Sequence, residues 1–144
     1  MASVTNGIET VLAGLNAASP FNRAQGFELG EVGEGSAVLR LAPDAQALNH
    51  AGFVHAGMSA ALLDTVAGYA AATVAGGVVT ASMTVNYIAG ARGALVARGE
   101  VVKAGNKQVF VETRLHQGDR LVATARRVAK ALSQTLRHLL IDIA

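Results

Sequence analysis

Eighteen residues, Gly57–Val74 (GMSAALLDTVAGYAAATV), are apolar or small on nearly every side of a helical projection, and Asp64 is the one charged residue among them. Gly76-Gly77 follows and ends the helix. A helix without a polar face must be covered almost all round. Lipid is one possible cover, and Ala56–Val79 is long enough to span a bilayer. Its apolar residues are mostly Ala and Gly, however, which gain little from lipid. Asp64 at mid-span costs about 2.5–3.5 kcal/mol on insertion scales. A protein sheet curled around the helix is the better cover, and no membrane association is expected.

The rest of the chain supplies such a sheet. Residues 7–16 place Ile8, Val11, Leu12 and Leu15 at helical spacing, and SPFNRAQG then breaks that helix. Two strands are predicted around the turn Gly33-Glu34-Gly35. Pro43 and Asp44 open a loop that leads to the long helix. After Gly77 the period changes to two. Four segments read as strands: VVTASMTVNYIAG, ALVARGEVVKAG, KQVFVETRLHQ and DRLVATARRVAK. In the third, Val109, Val111, Thr113 and Leu115 share one face, with Phe110, Glu112 and Arg114 on the other. The joints Gly90-Ala91-Arg92-Gly93, Gly105-Asn106 and Gln117-Gly118-Asp119 have tight-turn chemistry, which predicts an antiparallel meander. The fold class is therefore α+β: an antiparallel sheet of about six strands wrapped around one long central helix. No linker or repeat divides residues 1–144, so one domain is expected. In the tail 131–144, Leu132, Leu136, Leu139, Leu140 and Ile143 predict a short amphipathic helix, with a strand at HLLIDI as the rival.

Several function classes fall away. The net charge is +2, aromatics are 4% of the chain, and no dense Lys/Arg run occurs, so nucleic acid is not an expected partner. There is no cysteine, hence no thiolate ligand and no Cys nucleophile. The first residues lack a basic start followed by an apolar stretch, and a cytoplasmic location is expected. His50-x4-His55 in a loop is not a zinc spacing, so no metal is expected. Ser59 and Ser82 lack a nucleophile-elbow context. His50 and His116 read as loop hydrogen-bonders.

Asp64 remains to be explained. A carboxylate among apolar neighbours either finds partners or takes up a proton. Its structural partners would be Thr65, Thr84 or a backbone amide. Its functional reading starts at Gly57, near the helix N-terminus. There unpaired N–H groups and a partial positive charge suit a carbonyl that becomes an oxyanion. Asp64 lies seven residues on, nearly two turns, so it shares that face at roughly 10 Å along the axis. That is too far to serve a carbonyl held at its own helix entrance. If both belong to one site, two antiparallel helices have to build it, as in a two-fold dimer with composite sites.

The combination NHAGFVHAGMSAALLD, with Asn49, Gly52, His55, Gly57 and Asp64 at these spacings, resembles the signature of the phenylacetate-pathway (PaaI-like) hotdog-fold thioesterases. One departure is Ala56, where that family most often has Gly. The likeness covers roughly residues 27–129. It implies a hotdog fold and hydrolysis of an acyl-CoA thioester; the small residues Ala60, Ala61, Ala67 and Gly68 near Asp64 leave room for an aryl or medium-length acyl group. It implies Asp64 as general base or nucleophile, and Gly57 N–H as the group polarising the carbonyl. Asn49 would orient thioester or water, His55 would shape the loop or assist the carbonyl, and a hydroxyl on the next strand, Thr80 ahead of Ser82, would hold the water. Coenzyme A enters as part of the substrate and no separate cofactor is implied. Arg92, Lys103, Asn106 and Lys107 are the candidates for its phosphates. A homodimer or homotetramer is implied. The alternative is a non-catalytic hotdog module that binds acyl-CoA or only assembles. A hotdog hydratase is disfavoured, because Tyr69 stands at the offset where an Asp-x4-His arrangement has its histidine.

Overall fold

The apolar helix lies in the concave face of a six-stranded antiparallel sheet in the computed structural model, which describes residues 4–132. Helix α1 spans Val4–Ala18 and α2 spans Pro20–Gln25. Strands β1 (Glu28–Gly33) and β2 (Ser36–Leu41) come next, then a short 3-10 turn at Ala45–Ala47 and the central helix α3 (Ala56–Ala75). Strands β3 (Val78–Tyr87), β4 (Leu95–Ala104), β5 (Gln108–Gln117) and β6 (Arg120–Ala131) follow. The strand order is β1-β2-β4-β5-β6-β3.

The sheet buries α3 from Met58 to Ala71, and Leu62, Leu63 and Val66 are fully inaccessible. Each such side chain contributes about 1.5–3 kcal/mol on burial. Gly99 on β4 sets how closely the helix approaches: a Cβ there would lie 3.1 Å from the Val66 carbonyl oxygen. β5 alternates as expected, with Val109, Val111, Thr113 and Leu115 buried against the helix. The span Ala56–Ala75 is long and apolar enough to cross a membrane, yet half of it is buried inside this fold. The buried half, Met58 to Ala71, is met by the sheet.

Three features differ from the sequence reading. The four last strands do not form a simple meander. β4, β5 and β6 do, but β3 pairs with β6 at the sheet edge, and residues 88–94 cross to β4 instead of closing a hairpin. Gly90-Ala91-Arg92-Gly93 is part of that crossover. It is held by the Val54 N–H donating to Ala91 O at 2.8 Å, which ties it to the loop before α3. Second, SPFNRAQG is a capped turn of helix: the Ser19 hydroxyl accepts from Asn22 N–H at 3.2 Å, Pro20 opens α2, and Gly26 closes it at φ 77°. Six residues are too few to show a period, although Ser-Pro is a start signal. Third, β6 runs through Ala131, and the Leu132 N–H donates to Gly77 O. Leu136, Leu139, Leu140 and Ile143 lie outside the described residues.

Candidate active site

Asp64 sits midway along α3 on the side facing β3 and β6. Its side chain is 41% exposed, half-buried rather than enclosed, and its side-chain partners are not the Thr65 or Thr84 considered above. The Thr80 hydroxyl donates to Asp64 Oδ1 at 2.8 Å. Thr80 and Ser82 differ by two positions and would share a face in a regular strand. The register slips between them: Thr80 opposes Ala129, and Ser82 opposes the next residue back, Val128. This bulge turns Thr80 inward with buried Ala129 and leaves Ser82 on the outer face.

The second partner escaped the sequence reading. Arg127 Nε lies 3.1 Å from Asp64 Oδ1 with the guanidinium side chain only 5% exposed. Its Nη1 donates to the Asp64 main-chain oxygen at 2.9 Å. Nε is at ion-pair distance but its N–H is not aimed well enough to count as a hydrogen bond. Burial pulls the guanidinium below its ordinary pKa, and the Asp64 charge opposes this. Gly68, one turn beyond Asp64, leaves the room: a Cβ there would lie 2.7 Å from Arg127 Nη1. A signal was present in the sequence. Arg126-Arg127 are adjacent on a strand, so one of them must face inward, and Ala123, Ala125 and Ala129 define that inner face.

Beside this pair a cavity of about 360 Å³ opens between α1 and α3. Ile8, Val11, Leu12 and Leu15 of α1 form one wall, and Thr65, Gly68, Tyr69 and Ala72 of α3 form the other, with Asp64 and Arg127 at its edge. Of the small residues near Asp64, Gly68 lines this space, while Ala67 is buried against the sheet. A polar cluster adjoins it. The Tyr69 hydroxyl donates to Asn16 Oδ1 at 2.9 Å and accepts from Asn22 Nδ2 at 3.1 Å. Burial pushes the Tyr69 phenol up from its ordinary value.

The motif loop stands at the other end of α3. Asn49 Oδ1 accepts from the N–H groups of Ala51 and Phe53 at 2.9 and 3.1 Å, so this oxygen pins the loop. Gly52 takes φ 80° within it, a conformation few side chains tolerate. His55 caps α3: its Nδ1 accepts from Gly57 N–H at 2.8 Å. The position needs glycine, since a Cβ would lie 2.9 Å from that nitrogen. His55, Ala56 and Gly57 are exposed, and Tyr87 donates to Ala56 O at 3.2 Å. His50 is exposed in the same loop. His116 is not in a loop at all; it lies in β5 with Nδ1 buried and unpartnered. No three His, Cys, Asp or Glu side chains converge among the described residues.

The single chain therefore gathers Asp64 and Thr80 in one place and Asn49, His55 and Gly57 in another. The candidates for phosphate contact divide in the same way. Arg92 stacks on the Phe53 ring at 4.0 Å, beside the loop. Lys103, Asn106 and Lys107 are exposed around the β4–β5 turn at the opposite end of β4, roughly 30 Å away for a ten-residue strand. That turn belongs to the same end of the sheet as Thr80, because Ala104, Val109, Ala129 and Thr80 form one row across β4, β5, β6 and β3.

Comparison with known proteins shows the family and the fold. Residues 51–124 match the family model described as the thioesterase superfamily. Among solved structures, a conserved protein of Pseudomonas aeruginosa is 30% identical at TM-score 0.77, over 79% of this chain and 94% of that one. The E. coli PaaI protein from the phenylacetic acid degradation operon is similar in fold, with 21% identity and TM-score 0.86 over 91% of this chain and 97% of its own. A Streptococcus mutans protein bound to acetyl CoA has 23% identity and TM-score 0.71 over 74% and 89%. No curated protein matches the chain.

Proposed function

The chain belongs to the thioesterase superfamily and has its hotdog fold; from this we propose that it is an acyl-CoA thioesterase acting on aryl or medium-length acyl groups, with Asp64 as the catalytic carboxylate. The observation that carries the reading is Asp64, ion-paired and hydrogen-bonded yet half exposed, at the edge of an apolar cavity. The acyl group takes the cavity between α1 and α3. The acetyl-CoA-bound relative supports coenzyme A as the carrier.

Asp64 acts as general base. It removes a proton from a water held with Thr80, and the water oxygen attacks the thioester carbonyl carbon. The C=O electrons move onto oxygen, and Gly57 N–H at the positive helix end stabilises that charge. Collapse breaks the C–S bond. The thiolate recovers the proton from Asp64, leaving free acid and coenzyme A. Asn49 and His55 hold the loop that presents Gly57.

Within one chain Gly57 and Asp64 are seven helical residues apart, so we propose a homodimer with composite sites. The edge strand β3 supports it: the edge away from β6 has no partner strand among the described residues, and Val79, Tyr87 and Ile88 are 44%, 54% and 56% exposed. Such an edge invites pairing. Antiparallel self-pairing centred between Met83 and Thr84 would set Thr80 of one copy opposite Tyr87 of the other. Thr80 touches Asp64 and Tyr87 touches Ala56, so each Asp64 then faces the second copy's Gly57. Arg92 arrives with that second copy, while Lys103, Asn106 and Lys107 stay with the first; together they are the proposed contacts for coenzyme A phosphates. A homotetramer and a cytoplasmic location are part of the same proposal.

The test is thiol release from an acyl-CoA panel. Asp64→Asn is expected to lower turnover about a hundredfold or more with the fold intact, and full activity in this variant would overturn the assignment. One observation favours a second reading, a non-catalytic acyl-CoA-binding module: Gly57 N–H is already engaged by His55. That reading requires thermal stabilisation by acyl-CoA without thiol release.

A further inference from the structure

We infer that Arg127 is a positioning residue for Asp64, and that position 68 is glycine to admit it; the inference rests on the thioesterase reading above. A guanidinium under the central helix is costly to bury unless its partners are well placed. The neighbouring inward positions of β6, Ala123, Ala125 and Ala129, show that small apolar residues serve this face. Arg127 is therefore not there for packing alone. The only carboxylate that it meets among the described residues is Asp64.

The contacts have a direction. Arg127 Nε and the Thr80 hydroxyl both approach Oδ1. Arg127 Nη1 also fastens the main-chain oxygen of Asp64. The carboxylate is thus held about its χ angles with one oxygen engaged, while Oδ2 accepts no hydrogen bond among the described residues and is left to take the proton from water. Removing the guanidinium frees the carboxylate to rotate and leaves only Thr80 to orient it. A misplacement on the order of 1 Å can cost about a hundredfold in rate. Gly68 belongs to the same device, because a methyl group there would contact Nη1 at 2.7 Å. The guanidinium tip would have to shift, which disturbs its contact with the Asp64 main-chain oxygen.

The experiment measures kcat and KM separately for an acyl-CoA substrate of the native chain. Arg127→Met keeps an unbranched apolar stem as far as the Nε position without the charge. It is expected to lower kcat roughly 10–100-fold with KM changed about twofold at most, and circular dichroism is expected to stay native. Gly68→Ala is expected to lower kcat similarly while retaining the arginine. Adding Arg127→Lys to Gly68→Ala removes the clashing Nη atoms and keeps a cation, so the pair is expected to be more active than Gly68→Ala alone, a non-additivity that packing loss does not produce. A folded Arg127→Met enzyme with native kcat overturns the inference. If Arg127→Met does not fold, native kcat in Gly68→Ala overturns it instead. In either case an inactive Asp64→Asn leaves the thioesterase reading standing; a native chain that releases no thiol overturns both.

Discussion

Replacing Thr80 by Val removes one hydroxyl and nothing else of consequence, because the two side chains have the same shape and both suit a strand. The lost contact is the 2.8 Å hydrogen bond to Asp64 Oδ1. A hydrogen bond to a charged acceptor contributes about 1.5–3 kcal/mol. Asp64 is 41% exposed, so water replaces part of what is lost and about 1–2 kcal/mol is the realistic share. At about 1.4 kcal/mol per factor of ten, kcat/KM is expected to fall roughly 5- to 30-fold. Ser82→Ala serves as the internal control. The bulge puts Ser82 outward, so its loss is expected to change kcat/KM less than about twofold, in line with ordinary surface substitutions. The assay is continuous thiol release at matched enzyme concentrations, with thermal melts to confirm that both variants are folded. Equal losses in the two variants, or a larger loss for Ser82→Ala, would refute the bulge-based assignment of the water-holding hydroxyl.

Leu15→Trp narrows the cavity from the α1 side; KM for a phenyl-sized acyl-CoA is expected to rise about tenfold, with acetyl-CoA turnover retained, which a substrate-length series checks. Mixing Gly57→Trp chains with Asp64→Asn chains is expected to restore activity at one site per heterodimer, and no recovery after verified subunit exchange would place the site within one chain. Tyr69→Phe separates a pH effect. Burial raises the Tyr69 phenol above its ordinary 10.0, so the unfolded chain loses this proton first. Its contribution to stability is complete below about pH 10 and is lost as pH rises through the folded value. Alkaline melts of Tyr69→Phe are therefore expected to fall less steeply than those of the native chain.

The wrapped helix was legible because its composition leaves few alternatives: eighteen residues with one charge offer no polar face to turn toward water. The alternation in β5 was legible for the converse reason, since a one-residue slip would bury Glu112 and Arg114. The connection after β3 was not. Gly-Ala-Arg-Gly has the same turn chemistry whether the chain reverses into a hairpin or crosses two strands, and the difference lies in which edge β3 pairs with. The bulge at Ala81 was invisible for a similar reason, because an extra residue changes no periodicity over so short a segment. Asp64 and Gly57 were found through a pattern of spacings. Arg127 belongs to no such pattern, and only the parity of two adjacent arginines on a strand pointed inward.

Three features of the single chain are awkward in isolation. β3 is a ten-residue edge strand with exposed apolar side chains. Asp64 is open to solvent beside an apolar cavity, where water would weaken every electrostatic contact it makes. The helix entrance at His55–Gly57 is exposed, and its N–H group, bonded to the cap, is displaced from any carboxylate. The antiparallel β3 pairing we propose answers all three at once. It satisfies the strand edge, covers Asp64, and delivers a helix entrance to it. The His55 cap then gains a reason of its own. An imidazole nitrogen accepting the Gly57 N–H keeps that donor paired and aimed until a substrate oxygen, with more charge to offer as it becomes an oxyanion, competes for it. On this reasoning His55→Ala frees the donor but loosens the helix start. Turnover is then expected to fall through kcat more than through KM, since the donor's orientation matters most when the oxyanion forms.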